Sequence, residues 1–528
     1  MKHLLYAFSS GILLALSWPT YGFPLLLFFS FVPLLLAEFN IRTLNIKFSN
    51  LKILGLAYVT FFTWNITTTY WLYFSTPFGM WFAVLANSLL MSLVFLIYHI
   101  VAKRVDFKAS IAFLVCLWIS FELLHLHWDF SWPWLNLGNG FSDFSNWIQW
   151  YEYTGTFGGT LWVWLGNIIF FKMLLIYRQH KEKEIIFRGI FKASLLILLP
   201  ILVSYVILWN YSESEKTVDV VVLQPNINPY TEKYNTSDAK IGPLLNRLAV
   251  QGINDSTELV IAPETVYADG TSLKNFSYSY ASHYSKVLVK NHPTVNFLGG
   301  ISMYNRFSDP EKVKKQTNQI GLNDWYDDYN SAFLINATDS IQMYHKSKLV
   351  VGVENFPYQS FLKPILGNIM IDLGGTVAMK TTQPERSVFE LKNGYKVAPI
   401  ICYESVYGEY VTGYVNNGAE FLAIITNDAW WGNTQGHKQH LSYAKLRAIE
   451  NRRSIARSAN TGISALINEK GKIESTLGYE EQGQLSGKIS RNSEITFYTK
   501  HGDIIARVAP FIALLIFIFS FLKYKRRR

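Results

Sequence analysis

Apolar runs of near-membrane length fill the first 210 residues. A helix needs about 20 apolar residues to cross a bilayer core. Seven segments meet or approach that length: 3–19, 22–39, 52–74, 79–101, 108–126, 156–177 and 190–209, with an eighth at 506–522. The first two are short and share the tight "WPTYGFP" turn, so they form two spans or one re-entrant hairpin; two spans is the preferred reading. "SWPTYGFP" does not resemble the small-residue cleavage site of a signal peptide. From about residue 217 the pattern changes. Short β-rich runs ("TVDVVVLQ", "ELVIAPE", "VNFLGGI", "SAFLINA", "KVAPIICYE", "EFLAIITND", "SALINEK") alternate with amphipathic helical stretches near 240–250, 276–290, 407–417 and 437–452. That alternation predicts an α/β domain with buried sheets. The expected organisation is a transmembrane domain of about seven helices over 1–210, an α/β domain over 211–500, and a C-terminal transmembrane helix with a basic tail over 501–528.

Composition agrees with this division. Half of the residues are hydrophobic, 16% are aromatic and only 16% are charged, against roughly 25% charged in an ordinary soluble protein. A disordered chain is excluded, and with two cysteines so is a small disulfide scaffold. The net charge of +10 fits nucleic acid, anionic lipid or no ligand at all, and its distribution argues against the first. Residues 1–210 carry 13 basic and 8 acidic groups, residues 211–505 carry 29 and 30, and the last 23 residues carry 6 and none. The most polar part is nearly neutral, the opposite of a nucleic-acid-binding domain. Basic residues fall in alternate connections: Lys2; Arg42, Lys47 and Lys52; Lys103, Arg104 and Lys108; Arg178 to Lys192; and Lys523 to Arg528. The connections 19–22, 75–78 and 127–154 hold no Lys or Arg. By the positive-inside rule both termini are cytoplasmic and the α/β domain is extracytoplasmic, periplasmic in a bacterium. The Trp-rich loop 127–154 reads first as an interfacial aromatic belt and second as an amphipathic lining for a lipid entrance.

Polar residues at the C-terminal ends of apolar strands are where open α/β folds place their chemistry. Glu264, Cys402, Glu404, Asn427 and Asp428 hold such positions. Taken singly, each has a structural reading too: Cys402 as an inert buried thiol, Glu264 as a charge at a helix N-terminus, Lys346 and Lys348 as solvated surface. Cys116 lies in a predicted span. His437 and His440 share a helix face but lack metal-ligand spacing, and no Walker or dinucleotide glycine pattern occurs. No metal or cofactor is expected.

Together these positions carry more. Glu264 in "APET", Lys346 in "YHKSKLV" and Cys402 in "ICYES" resemble, in order and spacing, the Glu-Lys-Cys triad of the nitrilase superfamily. "LQPNI", "ITNDAWWG" and "GHKQHLSYAKLRAIENRRSIARSANTGISALI" match as well. Placed between seven N-terminal spans and one C-terminal span, with the "WPWLNLGNGF" loop, such a domain resembles the apolipoprotein N-acyltransferase family over nearly the whole chain. The resemblance implies a polytopic α-helical membrane domain plus an α/β extracytoplasmic domain built as a nitrilase-like α-β-β-α sandwich, in the bacterial inner membrane. It implies a two-step transfer from a glycerophospholipid, through a Cys402 thioester, to the diacylglyceryl-cysteine of an apolipoprotein. Glu264 is then the base and Lys346 the cation that stabilises thiolate and oxyanion. Glu354 and Glu404 support the triad, Tyr403 lines the acyl site and Tyr234 sits on a substrate loop. The chain would act as a monomer in the bilayer. After the lysine the family's "K-x-H-L-V-P-F-G-E" becomes "KSKLVVGVE", which replaces its His with Lys348 and keeps Glu354; Lys346 matches the catalytic lysine by register. Segment 351–380 reads as a membrane-touching lid or as plain packing. The rival readings are a membrane-tethered nitrilase-type amidase for small C–N substrates, a transporter with an accessory domain, and a non-catalytic scaffold. Seven spans exceed what a tether needs, Glu122 is nearly alone as an intramembrane charge, and the intact triad speaks against a scaffold.

Overall fold

The computed structural model describes residues 1–233, 235–338, 340–358 and 378–525. Most of the expected lid segment 351–380 and the end of the basic tail lie outside them. The chain divides into two compact units, Met1–Asn210 with His501–Arg528, and Tyr211–Lys500.

The first unit is helical. Among the described residues six of its segments are long and apolar enough to cross a membrane: Pro24–Thr43, Pro77–Ala102, Phe107–Leu124, Tyr151–His180, Lys183–Asn210 and Ile504–Leu522. Two of the eight expected spans fall short of that standard. Helix Lys2–Leu16 has 15 residues, about 22 Å at 1.5 Å per residue against a bilayer core of about 30 Å. Helix Ser49–Thr69 has 21 residues, but Asn and Thr lower its hydropathy. These polar groups are satisfied within the unit. The Thr63, Thr67, Thr68 and Thr69 hydroxyls donate to carbonyls one turn back, and Asn87 Nδ2 donates to Asn65 Oδ1 at 2.8 Å. The segment 22–39 is itself broken, a 3-10 turn Pro24–Phe29 followed by helix Val32–Thr43. Asn167 pairs the backbone groups freed there, donating to the Leu27 carbonyl at 2.7 Å and accepting from the Phe31 N–H at 2.8 Å, as an apolar surrounding requires.

In the Trp-rich loop Trp134 packs inward, while Trp128, Trp132, Trp147 and Trp150 stay partly exposed. Trp134, Leu135, Leu137 and Phe141 are buried, and Trp134 packs on Trp71 with ring centroids 5.0 Å apart. Pro133 and the glycines of "WPWLNLGNGF" allow successive 3-10 turns, Pro133–Leu135 and Leu137–Phe141, that fold the rings inward. Glu122 anchors them: its carboxylate accepts from Trp118 Nε1 at 3.0 Å, the Leu137 N–H at 2.8 Å and Thr160 Oγ1 at 2.6 Å. The intramembrane acid is therefore a structural acceptor for the loop.

Among its described residues the second unit holds two sheets. One has eight strands in the order Gly483–Ser490, Thr217–Gln224, Leu259–Ile261, Asn296–Phe307, Asp324–Ile335, Asn318–Gly321. Tyr267–Ser272 and Ile341–His345 pair with Asn296–Phe307 and Asp324–Ile335. The other has six, in the order Ile473–Leu477, Ser464–Ile467, Ile455–Ala459, Phe421–Thr426, Lys396–Ile401, Phe389–Glu390. Their central strands are apolar on both faces because each sheet is covered twice. Helices Asp238–Gly252 and Tyr280–Asn291 bury Leu245, Leu248 and Leu288 against Val221, Val260 and Phe333 of the first sheet. Helices Gly408–Asn416 and Gln435–Asn451 pack beside the second. The sheets join each other where Ser458 Oγ donates to the Leu223 carbonyl at 2.8 Å. The result is the helix–sheet–sheet–helix sandwich expected of the nitrilase fold.

Candidate active site

Strand direction explains why three distant residues meet. Leu259–Ile261 runs parallel to Asn296–Phe307, which is antiparallel to Asp324–Ile335, which is antiparallel to Ile341–His345. Two reversals restore the direction, so the first and last of these strands end on the same side. Glu264 follows the first and Lys346 the last. Lys346 Nζ lies 2.9 Å from Glu264 Oε1. Glu354 holds the same ammonium from the other side, with Oε1 at 3.0 Å and Oε2 at 2.9 Å. Asn330, on the strand between them, donates one amide to Glu264 Oε1 at 2.7 Å and to Glu354 Oε1 at 2.9 Å. From the opposite sheet the Asn427 N–H donates to Glu264 Oε2 at 3.1 Å.

Cys402 ends Lys396–Ile401 and begins a 3-10 turn, Cys402–Val406. Its φ is 50°, a left-handed conformation that costs a non-glycine residue about 1–2 kcal/mol and must be held by its surroundings. Glu404 does much of that. It is fully buried and accepts from the Ile401 N–H at 2.8 Å, the Ser347 N–H at 2.7 Å, and the hydroxyls of Tyr344 (2.5 Å), Tyr410 (3.2 Å) and Tyr414 (3.1 Å). One carboxylate thus ties the backbone before Cys402 to the backbone after Lys346. Ser405 Oγ donates to the Cys402 carbonyl at 2.7 Å. Gly300 makes room for the Glu264 turn: a Cβ there would meet the Thr265 nitrogen, Pro263 O at 2.5 Å and Glu264 Cα at 2.7 Å.

Comparison with known proteins covers both units. Residues 10–169 match the family model of the apolipoprotein N-acyltransferase N-terminal domain, and residues 310–497 match that of carbon-nitrogen hydrolases. The apolipoprotein N-acyltransferase of Chlorobaculum tepidum is 26% identical over 96% of this chain and 94% of its own. That of Geobacter metallireducens is 25% identical over 96% and 92%, and apolipoprotein N-acyltransferase 1 of Treponema denticola 25% over 90% and 88%. Over nearly its whole length the chain is thus similar to apolipoprotein N-acyltransferases. It is a multi-pass membrane protein carrying a nitrilase-fold domain, and an acyltransferase.

The site is electrostatically taut. Burial works against the charge on Lys346, but Glu264 and Glu354 hold its ammonium well above the usual lysine range. Burial likewise opposes ionisation of Glu264, yet Lys346 and then Lys233 keep its carboxyl below the usual range. Burial, Glu264 and Asp428 push the Cys402 thiol up, and Lys346 draws it down. Cys402 therefore rests as a thiol, and its ionisation would need a base.

The remaining positions sort by neighbour. Lys348 lies over the Tyr407 and Tyr410 rings, 4.7 and 5.6 Å from their centroids, away from the Glu264–Glu354 pair. Tyr403 is buried, edge-on to Tyr407. Tyr234 lies outside the described residues. Asp428 is bound by Arg457 Nη2 at 2.5 Å and His440 Nδ1 at 3.0 Å, and His440 Nε2 is 3.2 Å from the Cys402 carbonyl. Cys402, Asp428 and His440 offer ligand atoms within 4.8 Å of one another, but the Arg457 guanidinium already supplies a cation against Asp428. Asn330, Lys233 and Arg457 escaped the sequence reading. A polar Asn inside the strand run "DDYNSAFLI" was the available signal for Asn330; nothing local marks the other two.

Proposed function

We propose that this acyltransferase moves an acyl chain from a glycerophospholipid to the α-amine of the N-terminal diacylglyceryl-cysteine of apolipoproteins. What carries the reading is one buried cluster, Glu264–Lys346–Glu354 beside Cys402, in a chain that also carries helices long and apolar enough to cross a membrane. Glu264 takes the thiol proton as Cys402 Sγ attacks the donor's ester carbonyl. Lys346 and the Tyr403 N–H face the developing oxyanion. As the tetrahedral adduct collapses, the glycerol oxygen leaves with the proton held by Glu264, which gives a lysophospholipid and a Cys402 thioester. The acceptor amine then attacks the thioester, gives its proton to Glu264, and expels the Cys402 thiolate, which Glu264 reprotonates. Every proton and the oxyanion charge are handled by side chains or backbone, so the mechanism calls for no cofactor or metal.

In the same reading Glu354 and Glu404 are positioning residues, Tyr403 lines the acyl site and Tyr234 meets substrate. The protein is a monomer of the bacterial inner membrane, with cytoplasmic termini, a periplasmic catalytic domain over 211–500 and no nucleic-acid partner. A membrane site suits two lipid substrates, since drawing each CH₂ of an acyl chain into water costs about 0.8 kcal/mol. The test uses purified protein with acyl-labelled phospholipid. Hydroxylamine-sensitive label on wild type and none on Cys402→Ser is expected. Equal labelling of Cys402→Ser, or N-acylation of a diacylglyceryl peptide by that variant, overturns the mechanism.

A further inference from the structure

The loop after strand Thr217–Gln224 brings a second ammonium to the triad. Lys233 is buried, 8% exposed. Its Nζ donates to Thr265 Oγ1, on the residue that follows Glu264, and stands 5.9 Å from the centroid of the Trp430 ring. Tyr230 of the same loop donates to the Trp430 carbonyl at 2.9 Å, so the loop is tied to the segment that follows Phe421–Thr426. The placement matters because the charges of the triad do not balance. Two carboxylates, Glu264 and Glu354, share the single ammonium of Lys346, each within 3.0 Å of it. A Cys402 thiolate would put a further negative charge into a buried site that already holds a surplus one, and like charges at this range oppose ionisation. Asp428, the next anion, is matched by Arg457 and His440.

We propose that Lys233 is a positioning residue of the acyl-transfer site whose ammonium offsets the surplus carboxylate and so lowers the energy of the Cys402 thiolate. Lys346 orients the base and meets the oxyanion; Lys233 supplies the positive field that lets the thiol ionise. The groups facing Lys233 are Glu264, Lys346, Cys402 and Glu354, with Thr265 and Trp430 in contact. Burial lowers the Lys233 amine to about 8, with Glu264 opposing. The field is therefore present at neutral pH and disappears as pH rises through that value.

The inference rests on Cys402 being the nucleophile of the proposed reaction, and its test needs no acyl donor. Full-length protein carrying Cys116→Ala, with Cys402 as its only thiol, is alkylated with iodoacetamide across pH 5–10 and followed by mass spectrometry. Lys233→Met is expected to slow alkylation at pH 7 about tenfold, one unit of thiol pKa, while Lys233→Arg stays within twofold of Lys233. The unsubstituted profile should bend near pH 8 as Lys233 loses its proton, and the Arg variant should lack the bend. A Lys233→Met rate equal to that with Lys233 overturns the proposal, as does a Lys233→Arg rate as slow as Lys233→Met, which marks a packing role. If Lys233→Met does not fold, the Arg comparison decides, and superimposable profiles overturn the proposal. Lys233-dependent alkylation without any phospholipid-derived thioester would sink the proposed function and leave this inference standing.

Discussion

Asn330 is the residue on which the triad's geometry turns. One side-chain amide donates to both carboxylates that hold Lys346. Asn330→Ala leaves both acceptors short of a buried donor, at about 1–3 kcal/mol. A lower melting temperature and at least tenfold slower thioester formation are expected, and unchanged labelling would show that Lys346 alone orients Glu264. The pH response of Glu264 follows from its pairing. Its folded carboxyl lies below the ordinary value of 4.5 because Lys346 and Lys233 outweigh burial. A group depressed on folding contributes stability that is present above its unfolded pKa and lost as pH falls through its folded one. Thioester formation should accordingly hold as pH drops to 4.5 and fail only below it. An acid limb centred above pH 5 would mean that Glu264 is unpaired in the working enzyme. The left-handed Cys402 obeys the same logic at the backbone, since its strain persists only while Glu404 and Ser405 hold the turn.

At the scale of elements, close approach does the positioning. The Glu264 turn presses on strand Asn296–Phe307 at Gly300, where a Cβ finds no room. Gly300→Ala is expected to destabilise the protein by about 1–3 kcal/mol and to abolish thioester formation by moving Glu264. Differential scanning fluorimetry and acyl labelling read the two effects separately, and retained labelling would show that the turn can shift without losing its aim. In the helical unit Glu122 plays a comparable part for the Trp-rich loop. Glu122→Ala removes the acceptor for the Leu137 N–H, Trp118 and Thr160. The 127–150 segment should then be cut faster by added protease, whereas Glu122→Gln, which retains an acceptor oxygen, should resist better. Equal cutting of the Ala variant and wild type would mean that ring packing alone holds the loop.

For the molecule as a whole the open question is direction across the membrane, and charge is the handle. Basic residues crowd alternate connections and the nitrilase-fold unit is nearly neutral, the arrangement that leaves Lys/Arg-rich loops cytoplasmic. In a chain with Cys116→Ala and Cys402→Ser, a reporter cysteine at Tyr278, 90% exposed, should react with an impermeant maleimide added outside spheroplasts. A reporter at Lys181 should react only after lysis. The reverse pattern would invert the proposed topology and put the thioester chemistry on the cytoplasmic side.

Sequence alone determined what is local or periodic. Apolar run length marked most helices of the first unit, and alternating β-rich and amphipathic runs marked the second as an α/β fold. Strand-end position marked Glu264, Cys402 and Glu404, and the family resemblance added Lys346 and Glu354 as candidates. These signals survive in one dimension because each is carried by residues a few positions apart. The tertiary structure decided what depends on distant neighbours. That Trp134 packs inward was decided by Trp71 and by Glu122, which holds the Leu137 N–H. That the residue after Ile341–His345 reaches the one after Leu259–Ile261 was settled by two antiparallel reversals of strand direction. Asn330 lies 66 residues from Glu264, and the Asn427 N–H that completes that carboxylate's bonding lies 163 away. Lys233 comes beside Thr265 and Trp430 only once its loop has folded. Charge balance in a buried site belongs to the space the residues share, and no local pattern encodes it.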